Sequence, residues 1–200
     1  MTWDIFTALV AFAFITVITP GPNNLMLMAS GANFGFRRTI PHMFGIALGM
    51  PFMVILVGIG IMQVFDAWPA TYTVLKVLSV TYLLYLAWKI ANAAPPKTAQ
   101  EQGKPLSFLQ AVAFQWVNPK AWTMVLSAVT LYATGRDVFS VLLVAVAYLG
   151  VSSISTTSWT VLGQQMRRFL NSPTRLRIFN GVMALLLVAT LIPVLWPVGS

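Results

Sequence analysis

The chain has 200 residues, of which 58% are hydrophobic and only 8% are charged, and its formal net charge is +8. Because a soluble domain carries roughly 25% charged residues, this composition excludes a soluble globular protein and indicates an integral membrane protein. Cysteine is absent and histidine occurs once, which excludes disulfides, thiolate metal sites and histidine clusters. We therefore expect no metal and no cofactor.

Apolar blocks long enough to cross a bilayer follow one another along the chain. A hydrocarbon core about 30 Å thick requires about 20 apolar residues for each helical span. Six blocks have this length: Ile5 to Gly31, Pro41 to Val64, Trp68 to Ala91, Phe108 to Ala133, Val138 to Gly163, and Phe179 to Trp196. The sequence therefore predicts an all-α membrane protein with six transmembrane helices.

One hydrophilic segment, "NAAPPKTAQEQGKPLS" at residues 92–107, divides these blocks into two sets of three. Its Pro, Gln and Lys content is typical of a linker. We expect residues 1–91 and 108–200 to form two three-helix repeats of one membrane domain, joined by a cytoplasmic linker. Because three is odd, similar halves would cross the membrane in opposite directions, as inverted repeats do.

The distribution of positive charge predicts the orientation of the chain. With six spans, nine basic residues fall on one side of the membrane and Arg136 falls on the other. The nine are Arg37, Arg38, Lys89, Lys97, Lys104, Arg167, Arg168, Arg175 and Arg177. The positive-inside rule makes their side cytoplasmic and places both termini outside. Membrane topology accounts for the basic surplus, so we expect a lipid environment and no nucleic-acid partner.

Two helix-breaking motifs lie at matching positions in the two halves. The first block contains "TPGPNN", and the fourth contains "QWVNPKAW". Proline in a helix interior costs about 3 kcal/mol, and lipid tolerates a break only where protein or a cavity satisfies the backbone. We therefore predict that helices 1 and 4 are broken around a central site. Its candidate residues are Thr19, Pro20, Gly21, Pro22, Asn23, Asn24, Gln115, Asn118, Pro119 and Lys120.

The residue types at the breaks predict a site for a carboxylate. Asn118 before Pro119 is typical of a helix start, and in the first break either Thr19 with Pro20 or Gly21 with Pro22 can start a half-helix. Each half-helix presents free N–H groups and a positive dipole end. Lys120 adds a positive charge near the bilayer midplane, where an ionisable residue indicates function.

The predicted spans contain no Asp or Glu. A lysine or arginine substrate would lack a buried counter-ion for its side chain, so the sequence favours small neutral or polar amino acids.

At these motifs the chain resembles the LysE/RhtB amino-acid exporter family, and the resemblance covers essentially its whole length. It rests on "TPGPNN" (19–24), "GFRRT" (35–39), "YLLYLAWKI" (82–90) and "QWVNPKAW" (115–122), and it is strongest to the cysteine/O-acetylserine exporter branch. The resemblance implies efflux of amino acids or their derivatives from the bacterial cytoplasm through the inner membrane, driven by protons. Many relatives carry aspartate where this chain has Asn23. Coupling would then use another group such as Lys120, or the chain would act as a facilitator.

Each of these features also has a structural interpretation, and the sequence leaves both open. The prolines can be kinks that help helices pack, and Lys120 can cap carbonyls between helices. His42 can relay protons at the cytoplasmic surface or lie there without such a duty. Gly45 and Gly49 form a GxxxG pattern, which suits either a helix contact within the chain or a homodimer.

Functions other than transport are less well supported by the sequence. A non-transporting membrane scaffold or subunit, with breaks that serve packing, is the main alternative. A channel typically lines a continuous path with rings of carbonyls or charges, whereas polar residues here cluster at the breaks. The spans contain no histidine cluster, acidic pair or nucleophile with a base, so we do not expect an enzyme.

Overall fold

The structure, a computed structural model, describes residues 2–68, 70–93, 103–133, 137–170 and 172–195. Within these ranges the secondary structure is helical. The α-helices are α1 (Trp3–Ile18), α2 (Pro22–Phe34), α3 (Phe36–Gly58), α4 (Met62–Ala67), α5 (Ala70–Ala91), α6 (Phe108–Val117), α7 (Pro119–Tyr132), α8 (Val138–Met166), α9 (Pro173–Ala189) and α10 (Ile192–Leu195). A 3-10 turn, Arg167–Phe169, extends α8.

The described helices confirm an all-helical chain that is suited to a membrane. Three helices, α3, α5 and α8 with its 3-10 turn, are long and apolar enough to cross a bilayer. The pair α1 and α2, bent by 56° at its break, adds a fourth if it is one span. Helices α6, α7 and α9 are each shorter than a full span. The six-span arrangement and the inverted repeat therefore remain predictions.

Helices α3 and α8 pack along each other and contact most of their neighbours. α2 and α1 lie against α8, α6 and α7 lie against α3, and α5 packs on α9. Gly45 and Gly49 bring α3 close to α6, since a Cβ at Gly49 would lie 3.0 Å from the Gln115 side chain. The GxxxG pattern therefore serves a contact within this chain, which removes it as a basis for the predicted homodimer.

Several helices extend beyond the apolar blocks. α3 begins at Phe36 rather than Pro41, because Gly35, with φ +80, permits the sharp turn from α2. α9 begins at Pro173 rather than Phe179, capped by the Ser172 side chain, and ends at Ala189. Helical hydrogen bonding continues through the charged first turns of α3 and α9, which a hydropathy criterion leaves out of the apolar blocks. Trp196, the predicted end of the sixth span, lies outside the described residues.

Basic residues gather at one end of the helices. Phe36 N–H at the start of α3 donates to Gln164 Oε1 near the end of α8 at 2.8 Å. Arg38 donates to the Gly103 carbonyl at 3.0 Å. The first basic loop, the segment before α6 and the end of α8 are thus neighbours. Residues 94–102 of the predicted linker, with Lys97, and Arg136 lie outside the described residues.

The start of α8 is capped by an acid. The Ser140 hydroxyl donates a hydrogen bond to Asp137 Oδ2 at 2.7 Å, and the Ser140 N–H donates to Asp137 Oδ1 at 2.9 Å. These hydrogen bonds hold the pKa of this exposed carboxyl below its ordinary value. The anion also suits the positive end of the α8 dipole, so Asp137 helps to define where the helix begins.

Candidate functional site

The first helix break occupies residues 19–21, between α1 and α2. Gly21 is the N-cap of α2 in an extended conformation, with φ −169 and ψ 178, and Pro22 is its first residue. Proline suits this position because the first N–H groups of a helix have no intrahelical partner. Of the two alternatives in the sequence, Gly21 with Pro22 therefore starts the second half-helix.

Side chains of α2 and α8 satisfy the carbonyls that the break leaves free at the end of α1. Asn24 Nδ2 donates to the carbonyls of Val17 at 2.7 Å and Thr19 at 2.8 Å. Trp159 Nε1 on α8 donates to the Ile18 carbonyl at 3.1 Å. Asn24 is 4% exposed, and its side-chain NH2 group is fully used by these two backbone carbonyls.

The second break lies between α6 and α7. Asn118 is the N-cap of α7, Pro119 is its first residue, and Asn118 Oδ1 accepts a hydrogen bond from the Lys120 N–H at 3.1 Å. Trp122 Nε1 donates across the break to the Trp116 carbonyl at 2.8 Å. The predicted helix start at Asn118 and Pro119 is confirmed.

Two side-chain amides, the half-buried Asn23 and the buried Gln115, join the breaks directly. Asn23 Nδ2 donates to Gln115 Oε1 at 2.8 Å, and Gln115 Nε2 lies 3.4 Å from Asn23 Oδ1. Gln115 is fully buried, and its Nε2 also donates to the Ala111 carbonyl at 2.8 Å. Residues 92 positions apart in the chain therefore meet between the two half-helix starts.

Lys120 forms the second connection between the breaks. Its ammonium donates to the Thr19 carbonyl at 2.7 Å, to Thr19 Oγ1 at 2.8 Å and, more weakly, to the Pro20 carbonyl at 3.4 Å. These acceptors match the three donors of an ammonium, and the negative end of the α1 dipole favours the charge. In this conformation Lys120 caps carbonyls between helices, which is the alternative role that the sequence leaves open.

Gly21 permits this approach of the lysine. A Cβ at position 21 would lie 2.6 Å from Lys120 Cδ and 3.0 Å from Nζ. Because the lysine stem crosses the backbone of the first break at this point, a side chain at position 21 would displace it. Lys120 can therefore contact the first break only because residue 21 has no side chain.

A small cavity lies beside these contacts, between the breaks and helices α3 and α8. Its volume is about 20 Å³, which holds about one water molecule. Gly21, Asn23, Asn24, Asn118 and Lys120 line one side of it. The other predicted residues contact this group: Thr19 and Pro20 bind the ammonium, Gln115 pairs with Asn23, and Pro22 and Pro119 begin the half-helices.

Helix α8 supplies three cavity residues that the sequence reasoning missed, Ser152, Ser155 and Thr156. Their spacing of i, i+3 and i+4 places them on one helix face, a signal that is visible in the apolar fifth block. Ser155 Oγ donates to the Val17 carbonyl at 3.3 Å. Ser152 Oγ is buried without a hydrogen-bond partner in the part of the chain that the structure describes.

Comparison with known proteins places these features in a family. The family model described as "LysE type translocator" matches residues 14–191. The chain is 32% identical over 195 residues to the cysteine/O-acetylserine efflux proteins of Escherichia coli strains HS and K12 and of Shigella sonnei strain Ss046, covering 94% of this chain and 96% of each relative. No solved structure gives a significant match. The family model covers most of the chain, and the chain therefore belongs to the LysE type translocator family.

Proposed function

We propose that this chain exports small neutral or polar amino acids, or derivatives such as cysteine and O-acetylserine, from the bacterial cytoplasm. Its family and the printed names of its relatives support amino-acid export. The single observation that carries the proposal is the meeting of the two breaks. Lys120 of the second break binds the carbonyls of the first, beside a cavity that both breaks line.

The contacts between helices support six spans arranged as two inverted repeats. In this arrangement α1 and α2 correspond to α6 and α7, α3 corresponds to α8, and α5 corresponds to α9. The contact of α2 with α8 then has its counterpart in α7 with α3, and that of α3 with α6 has its counterpart in α8 with α1. Such repeats transport by alternating access, with one repeat rocking against the other around a central site.

The contacts of Lys120 can couple this motion to substrate binding, because the substrate would compete for the same ammonium group. Lys120 connects the two breaks, and the cavity beside it is too small for an amino acid, which supports our interpretation of this conformation as a closed site. A substrate carboxylate offers the ammonium a charged acceptor in place of neutral carbonyls. Binding would release Thr19 and Pro20 from Lys120 and allow the repeats to separate.

Charge at the site supports a neutral substrate side chain. The four acids of the chain are Asp4, Asp66, Glu101 and Asp137. None of them is among the described residues that line the cavity. The ammonium of a zwitterion can bind neutral acceptors there, among them the hydroxyls of Ser152 and Thr156. A second cationic group would lack a counter-ion, which disfavours lysine and arginine.

Coupling to protons is part of the proposal. Asn23 places a neutral amide at the first break, so Lys120 is the ionisable side chain among the residues that line the central cavity. We expect proteoliposomes to accumulate O-acetylserine against its gradient only when a proton gradient is imposed. A facilitator would equalise the two concentrations and would not respond to the imposed gradient.

Replacing Lys120 tests the site. We expect Lys120→Ala to reduce release of O-acetylserine and cysteine from expressing cells to about one tenth or less, because a charge-assisted hydrogen bond is worth roughly 1.5–3 kcal/mol. Amino acids in the medium are measured by mass spectrometry and normalised to the amount of protein in the membrane. Lys76→Ala, at an exposed lysine on α5, is the matched control and should retain full release.

Full release by Lys120→Ala would contradict the proposed site. The same assay with threonine, homoserine, leucine and lysine tests selectivity, and selective release of lysine would contradict the charge argument. If no amino acid exceeds the level of the Lys120→Ala cells, export itself is refuted and a non-transporting scaffold becomes the better interpretation.

A further inference from the structure

A second cavity lies near the basic end of the helices, separate from the helix breaks. Its volume is about 70 Å³, and it is enclosed by the later part of α2, the start of α3, the end of α5 and residues 104–106. Its polar lining residues are Ser30, Asn33, His42, Lys89 and Lys104. The central site uses none of these side chains.

Two of these polar groups are already satisfied by the protein. Ser30 Oγ is 2.8 Å from Thr39 Oγ1, whose hydroxyl also contacts the Gly35 carbonyl at 2.9 Å. Asn33 Nδ2 donates to Asn180 Oδ1 at 2.8 Å, and Asn180 Nδ2 donates to the Ala93 carbonyl at 2.8 Å. These bonds hold the wall of the cavity in place. Of the buried polar side chains that line it, His42 is the one without a hydrogen-bond partner among the described residues.

His42 is unusual because it is buried without a partner. Its side chain is 1% exposed, and neither ring nitrogen has a hydrogen-bond partner within the described residues. A buried polar group without a partner costs roughly 1–3 kcal/mol. A buried ring that lines a cavity and has no partner among the described residues is a candidate for a group that a ligand satisfies.

The charges at the cavity select an anion. Lys89 and Lys104 are exposed at the rim, and the described residues that line the cavity include no Asp or Glu. Two cations beside a nitrogen that can donate a hydrogen bond match a carboxylate or a phosphate. The apolar residues Met26, Leu86 and Ile90 complete the wall, which suits a small organic anion.

The position of the cavity relates it to the helix breaks. On α3, His42 lines this cavity while Ile46 and Met50, at i+4 and i+8, line the central one. On α2, Asn23 lines the central cavity while Met26 and Ser30 follow on the same face. The two cavities thus lie on common helix faces, and His42 is separated from Ile46, the first residue of α3 at the central cavity, by a rise of about 6 Å along the helix.

We propose that the His42 cavity is a second binding site, which takes the carboxylate of the exported amino acid before the amino acid reaches the helix breaks. The proposal rests on the proposed function, because it takes the substrate from there. His42 donates a hydrogen bond to the carboxylate, and Lys89 and Lys104 attract it to the opening. The carboxylate then passes from His42 to Lys120 along the shared faces of α2 and α3.

The absence of native cysteine allows a direct test. Ala93→Cys places one thiol at the cavity, and its alkylation by N-ethylmaleimide is followed by mass spectrometry on purified protein in phosphatidylcholine nanodiscs. With O-acetylserine at about ten times its Kd, mass action predicts about tenfold slower alkylation. We expect O-acetylserine methyl ester, which lacks the carboxylate, to give no protection. A Ser158→Cys reporter on the exposed face of α8 should react equally with and without O-acetylserine.

The combined variant Ala93→Cys with His42→Leu decides the role of the histidine. Loss of protection in this variant supports the site, whereas equal protection with and without His42, or none in the parent reporter, overturns it. If His42→Leu does not elute as folded protein in gel filtration, Lys89→Gln with Lys104→Gln in the Ala93→Cys reporter decides in the same way, because both side chains are exposed.

The source of the anion and the proposed function are tested separately. Protection by phosphatidylglycerol nanodiscs without any amino acid would overturn the proposal in favour of a lipid headgroup, and protection by inorganic phosphate alone would overturn it in favour of a general anion site. Export by Ala93→Cys without protection refutes the second site and leaves the proposed function intact. If O-acetylserine protects the Ala93→Cys thiol but the protein moves no amino acid in liposomes, the second site is supported and the proposed export function is refuted.

Discussion

Ser152 and Ser155 line the same central cavity but differ in their hydrogen bonding. Ser155 donates to the Val17 carbonyl, so it supports the end of α1. Ser152, one helical turn earlier on the same face, has no partner among the described residues although it is fully buried. Because an unsatisfied buried hydroxyl costs free energy, we infer that Ser152 is held for a group that arrives with the substrate.

This difference predicts opposite effects for two similar substitutions. We expect Ser152→Ala to leave the thermal unfolding midpoint of the purified protein unchanged or raised, because no hydrogen bond is lost, and to lower export. Ser155→Ala removes a buried hydrogen bond and should destabilise the protein by about 1 kcal/mol. Midpoints in detergent and amino-acid release from cells are the two measurements. Full export by Ser152→Ala would contradict the role of the hydroxyl.

At the scale of elements, α2 and α8 approach each other through two glycines. A Cβ at Gly163 would collide with the Met28 carbonyl, and a Cβ at Gly31 would collide with the Thr160 carbonyl. Both obstacles are backbone atoms, which cannot move without shifting a helix. This contact positions Ser152, Ser155 and Thr156 against the first break.

We therefore expect Gly163→Ala to lower the free energy of unfolding by about 1–3 kcal/mol, as overpacking does, and to reduce export by displacing α8. Gly150→Ala is a control in the same helix, because a Cβ there would meet nothing within 4 Å. That control should be neutral or stabilising by up to about 1 kcal/mol, since alanine favours a helix more than glycine. Equal midpoints for the two variants would show that the helices can separate freely.

At the scale of the whole molecule, the proposed orientation follows from the basic end of the helices. Arg37, Arg38 and Arg167 lie in the same region as the cavity rim formed by Lys89 and Lys104. On the positive-inside rule, we propose that this end is cytoplasmic. The His42 cavity would then face the compartment from which an exporter takes its substrate.

Single cysteines test this orientation. We expect Thr2→Cys to react with a membrane-impermeant maleimide on intact spheroplasts, because the proposed orientation places the start of α1 outside. Arg168→Cys, at the opposite end, should react only after permeabilisation. The unmodified chain, which contains no cysteine, supplies the background. Labelling of Arg168→Cys alone on intact spheroplasts would reverse the orientation and contradict an uptake path from the His42 cavity to the breaks.

The sequence by itself determined the membrane class, the two helix breaks and the family. Apolar blocks report on burial in lipid, and Asn118 with Pro119 starts a helix through local hydrogen bonds and ring geometry, so both can be interpreted without tertiary contacts. The resemblance in "TPGPNN" and "QWVNPKAW" led to the same family as the comparison of the full chain. Helix ends were less accurate, because hydropathy measures lipid contact and not backbone hydrogen bonding.

Only the tertiary structure decided what each polar residue does. The partners of Lys120 lie 101 and 100 positions away, and Asn23 meets Gln115 across 92 positions. Such pairs depend on how the helices pack, and no local pattern specifies them. The same packing placed Gly45 and Gly49 against α6 and joined the Ser155 hydroxyl of α8 to the Val17 carbonyl of α1. It also left Ser152 and His42 without a side-chain hydrogen-bond partner within the described ranges.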